Sequence, residues 1–295
     1  MNLTSFLKQY YKGIPVVVIT IAVVLLVGGS ATFATIYLGG QGDIALQKGL
    51  VAHYTFNDAS SGTAKDSTPY GNHGTVYGAT TTTDRKGHAD KAYDFDGSDD
   101  YVDINNGEAF QTTFNTSGLT VSAWVKTAST GAHKEIWSGD DQNTNWNFRV
   151  SNGEEVQLWY YSSGSNGIVS GTTVLETDTW YHVTGVYDPS DTDHEMKVYV
   201  DGSLDNSGAD AGSFDDTQNA NKLGSRADSS QHFNGAIDDV RIYDRALSQQ
   251  EIKDLYQSYN PRLQVSSLQK GQVARYTFND ASSGTAKDAT PYGNH

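Results

Sequence analysis

Leu46–His73 reads LQKGLVAHYTFNDASSGTAKDSTPYGNH, and Leu268–His295 reads LQKGQVARYTFNDASSGTAKDATPYGNH. The copies differ at three positions, Leu50/Gln272, His53/Arg275 and Ser67/Ala289. Solenoid repeats recur every ~20–50 residues because each unit stacks on the next. The interval from Leu46 to Leu268 is far longer and encloses a whole domain. The repeat therefore predicts one complete unit over residues 49–260, a linker over 261–270 and the start of a second unit over 271–295. It carries two further expectations: a natural protein that continues past His295, and self-association of this chain through the partial second copy.

Between the copies the chain runs in short alternating stretches broken by Gly, Asn, Asp and Ser, the signature of many short strands. Expected strands are Val51–Phe56, Ala92–Phe95, Tyr101–Ile104, Leu119–Lys126, Glu135–Ser138, Trp146–Val150, Val156–Tyr161, Trp180–Asp188, Lys197–Asp201 and Phe233–Tyr243. Asp96-Gly97, Asn152-Gly153, Asn166-Gly167 and Asp201-Gly202 supply turn residues that tolerate positive φ. In Trp180–Asp188, Tyr181, Val183 and Tyr187 oppose Trp180, His182 and Val186, which suits a strand covered on both faces. One helix is expected. Ser248 and Glu251 form a capping box, Ile252, Leu255, Tyr256 and Tyr259 share a face, and Pro261 stops it.

The 295 residues include no cysteine, which excludes a disulfide scaffold, a thiol nucleophile and cysteine-ligated metal. Twenty Lys and Arg against 35 Asp and Glu give a net charge of −15. That balance lacks the electrostatic footprint of a nucleic-acid binder and suits calcium or neutral ligands. Residues 1–40 hold Lys8 and Lys12 and no acid. Ile14 to Leu38 then runs without a single charge, and the first acid is Asp43. Such a run spans a bilayer core of about 30 Å as a helix rising about 1.5 Å per residue. The basic flank predicts a single-pass protein: residues 1–13 inside, a transmembrane helix over 14–38, a linker over 39–48, and the domain outside the cell or in the periplasm. Two alternatives stay open. A cleaved signal peptide would have a shorter apolar core and a better small-x-small site than Thr32-Phe33-Ala34. A prepilin leader would explain Lys12-Gly13, though Val18 stands where an acid is expected.

A series of motifs in order then carries a family resemblance. VAHYTFN (Val51–Asn57) with DSTPYGNHG (Asp66–Gly74) and AYDFDGSDDYV (Ala92–Val102) is followed by TVSAWVK (Thr120–Lys126) and TWYHVTGVYD (Thr179–Asp188). KVYVDG (Lys197–Gly202), FNGAIDDVRIY (Phe233–Tyr243) and RALSQQEIKDLY (Arg245–Tyr256) complete the set. The series resembles a laminin-G-like jelly roll of the concanavalin A-like lectin/glucanase superfamily. The resemblance implies an all-β fold of two antiparallel sheets packed as a sandwich.

It also implies ligands. Asp238, in IDDVRIY, resembles a final-strand aspartate that holds a structural calcium, with Asn57, Asp58 and the carbonyl near Gly97 as partners. Read from the residues alone, these are equally solvated turn groups. Sugar recognition in this fold uses aromatic rings and polar groups, and Trp137, Trp146, Gln157, Trp159 and Tyr161 form the candidate set. Gln157, Trp159 and Tyr161 share one strand face; the same tryptophans read equally as core. His182 is expected to pack beside Trp180. Retaining hydrolysis needs two carboxylates about 5–5.5 Å apart, which glucanases of this fold take from Glu-x-Asp-x-Glu on one strand. That pattern does not occur, and neither do G-x-S-x-G or H-E-x-x-H. The chain is therefore expected to be no enzyme but a membrane-anchored module that binds a glycan or glycoprotein in adhesion. The alternatives are a spacer or pilin-like filament subunit, and the non-catalytic part of a larger glycoside-active enzyme.

Overall fold

The computed structural model describes residues 45–57, 62–104, 117–141, 144–162, 165–193, 195–208, 220–226, 228 and 230–259, with four short paired segments at 21–27, 30–36, 276–277 and 287–288. The chain divides into two units, residues 1–256 and 257–295.

The first unit is an all-β sandwich of two antiparallel sheets. One sheet runs, in spatial order, β13 (Ser165–Val174), β12 (Glu155–Ser162), β11 (Thr144–Val150), β10 (Lys134–Asp141), β17 (Ala220–Leu223), β8 (Tyr101–Asp103), β5 (Gly74–Tyr77) and β4 (Thr63–Ala64). The other runs β16 (Ser203–Gly208), β15 (Met196–Val200), β14 (Tyr181–Tyr187), β9 (Leu119–Thr127), β18 (Asn234–Tyr243), β7 (Ala92–Asp96) and β6 (Thr80–Thr82), with β3 (Leu50–Tyr54) also paired to β18. Side chains alternate along each strand. Val121, Val125, Val183, Ile237 and Ile242 of the second sheet therefore meet Trp137, Trp146, Phe148, Leu158 and Tyr160 of the first. Burying each such side chain is worth about 1.5–3 kcal/mol, which makes this layer the main source of stability. Gly185 sits where the sheets approach, since a Cβ there would lie 2.8 Å from Phe148. Gly224 has φ +79, and a Cβ would lie 2.3 Å from the Phe95 ring.

Two bulges change the alternation. One between Glu135 and Trp137 sends both Ile136 and Trp137 into the core and turns Ser138 outward. The other, between Asp238 and Arg241, places Asp239 at φ 48 and lets both aspartates meet Arg85 outside the sheet. Beyond β18 the capping box forms as expected. Ser248 N–H donates to Glu251 Oε2 at 2.8 Å, and Glu251 N–H donates to Ser248 Oγ at 3.3 Å. It starts α1 (Gln249–Ser258), which buries Ile252 and Leu255. Tyr256 stacks on Trp124 with centroids 5.9 Å apart, so the outer face of β9 is covered as well.

The apolar N-terminal run takes a different form from the expected helix. β1 (Ile21–Val27) and β2 (Ser30–Ile36) pair antiparallel, with Val27 opposite Ser30. Val, Ile, Thr and Phe favour extended backbone, and pairing satisfies the backbone of both segments. The rest of 14–38 lies outside the described residues. Among the described residues no helix is long and apolar enough to cross a membrane. In the second unit, β19 (Tyr276–Thr277) pairs with β20 (Lys287–Asp288), Tyr276 opposite Asp288. The first copy makes the same pair at the matching positions, Tyr54 opposite Asp66.

Candidate functional site

The outer face of the β10–β13 region is built as cross-strand rows, because each strand pair is in register. Glu135, Arg149, Gln157 and Ser170 form one row through successive pairings and contacts. The next row is Lys222, Ser138, Asn147, Trp159 and Ile168. Alternation then puts Phe148, Leu158 and Tyr160 on the core side.

Trp159 is half-buried on this face. The guanidinium carbons of Arg149 and Arg226 lie 5.3 and 5.4 Å from its ring centroid. Arg149 Nε donates to Gln157 Oε1 at 3.0 Å and its Nη1 donates to Gln231 Oε1 at 3.1 Å. Gln157 Nε2 donates to Ser170 Oγ at 2.8 Å. Asn147, between Ser138 and Trp159, is fully buried, and neither its Nδ2 nor its Oδ1 has a hydrogen-bond partner among the described residues. Glu135 is fully buried, 3.7 Å from Arg149. Burial pushes its carboxyl up to about 8, against the pull of Arg149 and Arg226. Further along the sheet, Tyr77 stacks on Tyr101 at 4.7 Å and Lys222 lies 4.5 Å over Tyr101.

This placement divides the expected sugar set. Gln157 and Trp159 share the outer face. Trp137 and Trp146 do not join them: they are 0% and 3% exposed, inside the sandwich. The bulge turns Trp137 inward, and Trp146 packs on Tyr160 and Tyr187 at 5.3 and 5.2 Å. The side chain of Tyr161 lies outside the described residues. Arg149, Arg226 and Asn147 belong to the face although sequence reasoning passed over them. Arg149 could have been found from the alternation of β11; Arg226 comes from a loop that only the fold brings near.

The expected calcium set is occupied differently. Arg85 donates to the Asp238 carboxylate, and its other terminal nitrogen lies 3.5 Å from Asp239. The Asn57 carbonyl accepts from Lys91 Nζ at 2.6 Å. Asp58 lies outside the described residues. Gly97, at φ +80, packs against the Asn234 side chain. Two cationic side chains thus engage two of the expected calcium-ligating residues, Arg85 at the Asp238 carboxylate and Lys91 at the Asn57 backbone carbonyl. A separate acidic turn brings carboxylate oxygens of Asp96, Asp99 and Asp100 within 4.8 Å of one another.

The same outer face of the second sheet holds His182. It packs on Trp124 and Tyr256, at 5.4 and 5.8 Å, rather than beside Trp180. Its Nε2 lies 2.8 Å from Ser122 Oγ. Both residues are fully buried.

Two antiparallel sheets enclosing one core, with a polar and aromatic outer face on one of them, define a lectin-type jelly roll. The chain belongs to the concanavalin A-like lectin/glucanases superfamily: the Laminin_G_3 family model matches residues 96–253. Domain 4 of AbnA, a GH43 extracellular arabinanase from Geobacillus stearothermophilus solved with arabinotriose, is similar at 25% identity and a TM-score of 0.55, covering 70% of this chain and 98% of that one. The binding domain of botulinum neurotoxin serotype D aligns at 18% identity and TM-score 0.54, over 75% of this chain and 54% of its own. The binding domain of Paraclostridial Mosquitocidal Protein 1 aligns at 15% and 0.56, over 72% and 52%. The chain spans about half of either toxin domain, and those two likenesses concern the fold alone. No curated protein sequence matches the chain.

Proposed function

We propose that the domain is a carbohydrate-binding module, without catalytic activity of its own, that works from the outer face of β10–β13. One observation carries this: Trp159 stands half-exposed beside Asn147, whose two amide atoms have no hydrogen-bond partner among the described residues. A buried amide left unpaired is costly, and sugar sites combine aromatic surface with a few such convergent polar groups. The similarity to an arabinanase domain solved with arabinotriose supports the same reading. The apolar run Ile14–Leu38 serves as the anchor, its paired strands Ile21–Val27 and Ser30–Ile36 giving way in a bilayer to a helix that satisfies its own backbone. The basic N-terminal flank keeps Lys8 and Lys12 inside and displays the domain to glycans or glycoproteins on the far side.

The test is a glycan array probed with the full chain in detergent, as wild type and as Trp159→Ala. Retention of a glycan by wild type and its loss in a still-folded Trp159→Ala supports the reading. Retention of nothing turns the domain into a spacer, a reading that draws on Arg149 and Arg226 already lying against the Trp159 ring.

A further inference from the structure

Bare aromatic rings suit the apolar faces of neutral sugars. Trp159 is not bare. Arg149 and Arg226 both lie within cation–π distance of it, and each is tied only loosely to an acid. The Arg149–Glu135 and Arg226–Asp228 separations are both 3.7 Å, beyond a direct hydrogen bond. Asp228 is half-exposed and engaged by Ser230, whose hydroxyl and N–H donate to it at 2.5 and 2.9 Å. Arg226 Nε is buried and without a hydrogen-bond partner among the described residues. Asn147 Nδ2 adds a second unpartnered donor beside the same ring. The face therefore sets two guanidiniums and these donors beside the unpartnered Asn147 Oδ1 and the buried Glu135 carboxyl, on a chain whose net charge is −15. Guanidinium forks match carboxylates in shape as well as in charge.

We infer that the ligand of this face is an acidic glycan, a sugar bearing a carboxylate, taken by the guanidiniums that Trp159 holds in place. The inference rests on the carbohydrate-binding reading above and names its ligand class. Glu135 supports it: held mainly neutral at pH 7 by burial, it leaves the charge of Arg149 available. Lys222, opposite Asp103 in register and over Tyr101, extends the polar face toward β8.

The experiment is calorimetric titration of the full chain in detergent with three probes: oligogalacturonate, the same oligomer with its carboxyls methyl-esterified, and arabinotriose. The free acid is expected to bind at least about tenfold tighter than its ester, and the advantage should shrink as salt rises from about 0.05 to 0.5 M. Arg226→Gln should erase most of that advantage, and Arg226→Lys, which keeps the charge, should retain part of it. Equal binding of acid and ester, or binding of arabinotriose alone, overturns the acidic ligand while the carbohydrate reading stands. Binding of none of the three overturns both. An acid preference that survives Arg226→Gln, in a variant with unchanged melting temperature, overturns its assignment to this face.

Discussion

Arg85 bonds the carboxylate of Asp238 across 153 residues of chain, on the outer face of the sheet that contains β9 and β18. The guanidinium also lies 4.9 Å over the Trp124 ring, so one side chain joins a charge and an aromatic surface. Burial, with Asp239 and Asp84 adding to it, pushes the Asp238 carboxyl up to about 7 even with Arg85 against it. Removing one partner of a buried pair leaves an uncompensated charge. Arg85→Met is therefore expected to cost about 3–5 kcal/mol at alkaline pH, where Asp238 is ionised in the native protein. The loss should shrink below the Asp238 pKa, and Arg85→Met with Asp238→Asn should recover most of it. Melting temperatures in EDTA and in millimolar calcium are expected to differ by the same amount in wild type and in Asp238→Asn. A calcium shift lost only in Asp238→Asn would return a metal to this carboxylate.

Glu135 should give stability a slope on the alkaline side. Its folded value of about 8 stands above the ordinary 4.5. An acid raised in the fold costs nothing while both states are protonated. It then costs up to about 1.4 kcal/mol per pH unit as pH climbs from the unfolded to the folded value. Glu135→Gln removes this cost. The variant is expected to match wild type near pH 5 and to exceed it near pH 8 in urea denaturation. Parallel curves at both pH values would mean that Glu135 is ionised throughout.

His182 acts on the acid side with the opposite dependence. Burial lowers it to about 3 from 6.5, so the fold holds it neutral. Its contribution is complete above the unfolded value and is lost as pH falls from 6.5 toward 3. The His182 ring resonances are expected to stay unshifted in NMR spectra from pH 7 down to about 4.5. A titration midpoint near 6 would show that the Ser122 contact leaves the imidazole open to protons.

The two tryptophans that sequence reasoning grouped together should separate on mutation. Trp146→Ala empties a core site and should cost about 3–5 kcal/mol. Trp159→Ala on the outer face should cost about 1 kcal/mol yet abolish glycan retention. Chemical denaturation gives the first quantity and an affinity column the second; equal losses of stability would make Trp159 a core residue.

The alternation of β9, β12 and β14, the capping box at Ser248 and Glu251, and the motifs from Val51 to Tyr256 are local or nearly local patterns. They were enough to read an all-β sandwich, and enough to put Gln157 and Trp159 on one face of one strand. Alternation separates two faces but does not say which is inside; that depends on what the opposite sheet brings. Trp146 faces Tyr187 and lies in the core, while Trp159 faces away from it. A single bulge reversed the expected place of Trp137, because one extra residue shifts the period of two. Arg85 beside Asp238, and Arg226 beside Trp159, are pairs made across long stretches of chain. Their meeting depends on the folded sheets that bring the loops together, so only the tertiary structure could set Arg85 against Asp238 and surround Trp159 with cations.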